Sequence, residues 1–141
     1  MKKLVLCAAC VCLGACSEQA DELLFKCNYR SAILSSTPMN QFEETYRIRE
    51  GRIEQYNPET GEFVDLCEQA ECSVKVTNDK IEFEFKVNEQ NIRAKMTKTI
   101  NRNTGAMEGL NIIWSEELAK EVRLRLFGEC ERVARAPVRA I

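Results

Sequence analysis

A chain of 141 residues holds one domain and is too short for two ordinary ones. Its 20 basic and 22 acidic side chains leave a formal charge of −2, without the basic surplus that nucleic-acid binding needs. Histidine is absent, which removes Ser-His and Cys-His catalysis and the commonest transition-metal ligand.

In chain order the first element is a leader. Met1-Lys2-Lys3 precedes an apolar run, residues 4–13, which ends in Gly14-Ala15-Cys16. A basic start, a short apolar stretch and small residues at a cleavage point predict a secretory signal over residues 1–15. The run is too short for a stable membrane span, which takes about 20 apolar residues.

The end of that leader, Leu13-Gly14-Ala15-Cys16, resembles the lipobox of bacterial lipoproteins. The resemblance implies that Cys16 becomes the first mature residue and carries lipid. Cys7 fits the motif worse because it follows Leu6, and Cys10 and Cys12 lack a Leu three residues earlier. Each buried methylene contributes about 0.8 kcal/mol, so two or three acyl chains on one sulfur hold a protein to a membrane almost permanently. By the lipoprotein sorting rule, Ser17 in place of Asp implies the outer membrane, facing the periplasm. Residues 16–22 form a polar, lipidated tether. Without the leader, 18 basic side chains face 22 acidic ones, a mildly acidic, well-solvated surface of net charge −4.

Five cysteines follow the leader: Cys16, Cys27, Cys67, Cys72 and Cys130. With Cys16 acylated, four are left to pair in an oxidising compartment, with three possible connectivities. Spacing favours Cys67–Cys72, as a four-residue hairpin loop "CEQAEC" with a cysteine at each strand end, and Cys27–Cys130 between the first and last strands. The second bridge closes about 100 residues and contributes roughly 4.7 kcal/mol in the chain-entropy model, against about 2 for the small loop. A zinc site is disfavoured by the export signal and by the isolation of two of the four thiols.

From residue 23 to 133 the periodicity is almost entirely two. Leu23, Phe25, Cys27 and Tyr29 alternate with polar neighbours; so do Phe42, Tyr46 and Ile48, interrupted by Glu44. The cleanest strand covers residues 80–88, with Ile81, Phe83, Phe85 and Val87 on one face. Ile92, Ala94 and Met96 follow, then residues 107–114, then Val122, Leu124, Leu126 and Cys130. One buried and one wet face is the pattern of antiparallel sheets. Glu50-Gly51 and Asn78-Asp79 suit tight two-residue turns, and residues 57–61 and 101–105 longer ones. The "INRNTG" turn and the closing Gly128-Glu129-Cys130 strand resemble those of small secreted bacterial proteins. Residues 31–41 are expected to form the longest irregular loop, Ser115 to cap one helical turn over "SEELAKE", and residues 134–141 to fray.

The predicted fold is mainly β: an antiparallel meander of seven or eight strands. Curling or closure of the meander into a small barrel removes exposed edges, and a bridge from first strand to last draws those edges together. Asp65 conflicts with this pattern. Pairing about a Cys67 hairpin puts it on the face of Phe63 and Val74, unless a bulge near Val64 intervenes.

No spacing singles out a catalytic residue, calcium loops are missing, and neither metal nor cofactor is expected. Arg47, Arg49, Arg93, Lys95, Arg123 and Arg125 stand on outward positions of three strands. As neighbours those strands would make a patch for an acidic partner or an anionic membrane, while cross-strand Glu–Arg pairing is the simpler explanation. Trp114 reads as core or rim packing. The chain is therefore expected to be a non-enzymatic, membrane-anchored envelope lipoprotein that binds or makes structural contact, with an unidentified envelope protein as a possible partner. In format it also resembles small periplasmic lysozyme inhibitors, but no Ser precedes any of its six glycines, so their Ser-Gly-x-x-Tyr motif is missing. A carrier of a small apolar ligand is the further alternative, against which the bulky Phe and Ile content predicts a filled interior.

Overall fold

A computed structural model describes residues 22–33, 36–68 and 70–137 of the chain. The leader, Cys16 and the tether as far as Asp21 lie outside the described residues, as do the last four of the tail. Nine strands follow one another: β1 (Leu23–Ile33), β2 (Ser36–Arg49), β3 (Arg52–Asn57), β4 (Glu62–Asp65), β5 (Glu71–Val76), β6 (Lys80–Glu89), β7 (Ile92–Asn101), β8 (Ala106–Ser115) and β9 (Lys120–Arg132). All pair antiparallel, in the order β4-β3-β2-β1-β9-β8-β7-β6-β5, and the sheet curls into a half-barrel.

Alternation sets which face turns inward. Phe25, Cys27 and Tyr29 of β1 pack with Tyr46 and Ile48 of β2, Ile53 of β3, Phe83 and Phe85 of β6, and Met107 and Leu126. Each such buried side chain contributes about 1.5–3 kcal/mol. The curl is read directly from side chains that meet across it: the Tyr46 ring of β2 lies 5.7 Å from the Phe83 ring of β6.

Both disulfides form as expected, Cys27–Cys130 and Cys67–Cys72. Their roles are exchanged. Cys27 faces Cys130 directly in the β1–β9 ladder, with Cα atoms 4.0 Å apart, in the middle of the sheet. The free edges are β4 and β5, and Cys67–Cys72 joins the ends of those edges. "CEQAEC" is thus not a hairpin loop, because β4 and β5 share no ladder. A meander whose first and last strands pair must have its opening elsewhere, and here it falls between β4 and β5.

Three local expectations change. Residues 31–33 and 36–41 are strand rather than loop. β1 runs on to Ile33, sandwiched between β2 and β9, with a register shift between Ser31 and Ile33. Pro38 has no N–H to donate, and it sits where β2 has outrun β3 and needs a partner on one side only. Asp65 needs no bulge: it and Phe63 both lie on the outer face, where Asp65 accepts from Arg52 Nε and from the Cys67 N–H at 2.8 Å. The Ser115 hydroxyl accepts the Leu118 N–H at 3.4 Å, but the chain closes there as a single turn rather than a helix, with Ala119 at φ 43°.

The turns explain the register elsewhere. Glu50 and Gly51 both take positive φ, 54° and 73°, the mirror-image turn whose twist matches that of the strands it joins. Residues 57–61 and 101–105 share the pattern Asn-x-x-Thr-Gly and one geometry. The Asn57 and Asn101 side chains each accept two backbone N–H groups, and Gly61 and Gly105 each donate back to the Asn carbonyl at 2.8 Å. Among the described residues, every ladder, both bridges and the core lie within residues 23–132.

Candidate functional site

Two charged residues stand among the apolar side chains at the centre of the inward face, Glu44 on β2 and Lys98 on β7, and the curl of the sheet brings them together. The Lys98 ammonium, on a side chain only 8% exposed as a residue, donates to Tyr46 Oη at 2.6 Å, Glu44 Oε2 at 3.2 Å and Tyr29 Oη at 3.4 Å. Tyr46 Oη in turn donates to Glu44 Oε2. The ammonium also lies 4.5 Å from the Tyr29 ring centroid and 5.1 Å from that of Tyr46, close enough for cation–π attraction.

Room for the lysine stem comes from glycine. Gly109 stands opposite Lys98 on β8, and a Cβ there would fall 3.1 Å from Lys98 Cγ and 2.4 Å from the Thr97 carbonyl oxygen. A larger residue at this inward position would push the stem off its course.

Electrostatics follow from burial and pairing. Burial pushes the Glu44 carboxyl up, but the Lys98 charge and the hydroxyls of Tyr46 and Tyr29 outweigh it and hold the group below its usual value. Burial lowers the Lys98 amine, an effect that Glu44 partly offsets. Burial and the Glu44 charge raise both tyrosines well above their usual range, so their hydroxyls stay neutral. The carboxylate at 3.2 Å favours the ammonium form of the lysine, against the burial that disfavours it.

This cluster floors a concave cavity of about 310 Å³ on the inner side of the sheet, walled by Phe42, Phe85, Met96, Leu124 and Leu126. Asn111 on β8 lines it too, and its buried Oδ1 has no hydrogen-bond partner among the described residues. Leaving such a group unsatisfied costs about 1–3 kcal/mol. A volume at the lower end of ligand pockets, mostly apolar walls and a few convergent polar groups form the profile of a small-molecule site. The interior is therefore not filled by its Phe and Ile residues.

The basic residues singled out in the sequence are not brought together as one patch. β1 separates β2 from β9, and β8 separates β9 from β7. Arg47 and Arg49 both pair with Glu54, Lys95 with Glu84 at 2.9 Å, and Arg123 with Glu121 at 2.7 Å, as the simpler explanation expects. Arg93 stacks on Trp114, 4.3 Å from the ring centroid, and Trp114 lies half-buried on the outer face. Among the described residues no group of three or more His, Cys, Asp and Glu side chains could hold a metal ion, and no helix is long and apolar enough to cross a membrane.

No protein family matches the chain, and no curated protein does.

Sequence reasoning noted Glu44 as an interruption but passed over Lys98. The signal was present: Ile92, Ala94, Met96, Lys98 and Ile100 share one parity, so Lys98 occupies an apolar slot. What the sequence could not supply was the partner, 54 residues away.

Proposed function

We propose that this chain is a bacterial envelope lipoprotein, cut before Cys16 and held by lipid on that cysteine. Its β domain is a non-catalytic binding module that takes a small, mostly apolar ligand with one polar group into the concave cavity. One observation carries the binding reading: the buried Asn111 oxygen without a partner, set in an apolar cavity beside the Lys98–Glu44 pair. A ligand hydroxyl or amine meets the Asn111 oxygen, while its apolar body lies against Phe85, Met96 and Leu124. Leu13-Gly14-Ala15-Cys16 and the even number of remaining thiols support the anchor, and Ser17 supports the outer membrane, facing the periplasm.

The binding reading is tested on the chain from Ser17 onward, purified from an oxidising compartment. Native mass spectrometry is expected to retain a bound small molecule, and anilinonaphthalene sulfonate to bind the emptied protein at one site. Leu124→Trp, which fills the cavity, is expected to abolish both. If neither the native molecule nor the dye binds, or if both survive Leu124→Trp, the cavity is not a ligand site. For the anchor, Cys16→Ser is expected to abolish fatty-acid labelling of the full chain; labelling that persists removes Cys16 from the account.

A further inference from the structure

The two bridges differ in what each holds. Cys27–Cys130 lies inside the β1–β9 ladder, whose rows run from Phe25–Arg132 to Ile33–Leu124. Cutting that bond leaves both cysteines in place, because the ladder keeps them there. Cys67 and Cys72, both partly exposed, tie two free edges that share no ladder. Among the described residues no backbone hydrogen bond or ion pair crosses this seam, and Leu66 and Val74 meet it only by resting on the core. The bridge holds its two Cα atoms 5.2 Å apart. The chain between them, a step of five residues, spans roughly 17 Å when extended. Without the bond the edges can therefore part by more than the spacing of paired strands, about 4.8 Å. The seam is also a wall of the cavity: Leu66, next to Cys67, and Phe85, the β6 partner of Cys72, both line it.

We propose that Cys67–Cys72 is a redox-operated latch on the cavity. Oxidised, it holds β4 beside β5 and keeps that wall shut; reduced, it lets the wall open and the ligand exchange. The inference rests on the cavity being the ligand site proposed above, and names how that site is regulated. The co-reactant is a protein dithiol. One of its thiolates attacks the sulfur of Cys67 or Cys72, so that the bridge breaks, a mixed disulfide forms and the other cysteine leaves as thiolate. The second thiol of the partner, as thiolate, then displaces the remaining cysteine. Two electrons and two protons pass to the latch, which ends as two thiols while the partner ends as a disulfide. Access and the leaving group decide which bridge reacts. Attack on the partly exposed Cys130 would have to expel the thiolate of Cys27, fully buried in the core, where an unpaired charge is costly.

The chain from Ser17 onward, oxidised, is titrated with dithiothreitol, and free thiols are alkylated and located by peptide mass spectrometry. Cys67 and Cys72 are expected to label first, with Cys27–Cys130 still bridged and the far-ultraviolet circular dichroism unchanged. In that state anilinonaphthalene sulfonate is expected to leave the cavity about thirtyfold faster, the gain in opening when so short a bridge is lost in the chain-entropy model. Amide protection is expected to fall in β4 and β5 and to hold in β1 and β9, and reoxidation to restore the slow rate. Cys67→Ser with Cys72→Ser is expected to show the fast rate with or without dithiothreitol. Labelling of all four cysteines together, or selective reduction that leaves both the dye rate and the protection of β4 and β5 unchanged, would overturn the latch. If the dye does not bind the oxidised protein, the cavity reading fails on its own. Hydrogen exchange in β4 and β5 then decides whether reduction opens the seam.

Discussion

At the scale of single residues the buried pair Lys98–Glu44 decides the most. Removing one partner of a buried pair strands the other, a loss of about 3–5 kcal/mol, whereas replacing both by apolar groups of similar volume is often neutral. Lys98→Met is therefore expected to lower stability by about 3 kcal/mol or more in chemical denaturation, with Glu44→Leu added restoring most of it. The same double variant is expected to fold yet bind the cavity ligand poorly, which separates a binding role from a merely structural one. The pair also fixes the response to pH. Glu44 sits below its ordinary value of 4.5, so its contribution is complete above that value and drains away as the pH falls through the lower folded-state value. Glu44→Gln is expected to flatten acid unfolding in that window. Lys98 slopes the same way in its own window: its folded-state value lies below 10.5, so stability again rises with pH across the interval between the two. The raised tyrosines reverse this above their ordinary value of 10, where the unfolded chain loses protons that the folded one keeps. At this scale the sequence showed where the apolar rhythm breaks, and tertiary contact showed what the breaks are for.

At the scale of elements, period-two alternation was legible because each strand buries one face, and the inward parity of β6 is as the sequence gives it. Turn chemistry was equally local: the residues at 50–51, 57–61 and 101–105 need their special backbone angles wherever they occur. What misled was the edge of the pattern. Residues 31–33 and 36–41 lack an apolar alternation yet are strand, because β1 is paired on both sides and its ladders outlast its hydrophobic signal. Phe63 was taken as inward, but it belongs to an outer cluster with Tyr56 and Arg47, its ring 5.4 Å from that of Tyr56 and 4.2 Å from the guanidinium. The close strand contacts have their own test. A Cβ at Gly128 would lie 2.1 Å from the Asn28 carbonyl oxygen and 2.5 Å from Tyr29 Cα, both backbone atoms of β1. Gly128→Ala is expected to cost about 1–3 kcal/mol by thermal denaturation, the usual range for overpacking, and to disturb Tyr29 in the cavity floor.

For the whole molecule the closure of the meander matters most. Cys27–Cys130 spans 103 residues of sequence at the centre of the sheet, with Cys27 fully buried and Cys130 partly so. Replacing both by Ala is expected to cost about 4.7 kcal/mol in the chain-entropy model, and Cys67→Ser with Cys72→Ser only about 2. The effect on the cavity runs the other way. Leu66, beside the smaller bridge, lines the cavity, and that bridge ties the two free edges of the half-barrel. The Cys67/Cys72 variant is thus expected to exchange ligand faster and to lose amide protection in β4 and β5, with β1 and β9 unchanged by hydrogen exchange.

The sequence alone determined the β class, the parity of the long strands, the tight turns and a disulfide pairing that proved right. These rest on neighbours two to six residues apart, or on the arithmetic of four thiols. Only the tertiary structure decided which strands are edges, which bridge joins those edges, and that Lys98, Glu44, Tyr29, Tyr46 and Asn111 surround one cavity. Those facts depend on how far the sheet curls. Curl is set by the sum of twist and packing over nine strands, and no single segment encodes that sum.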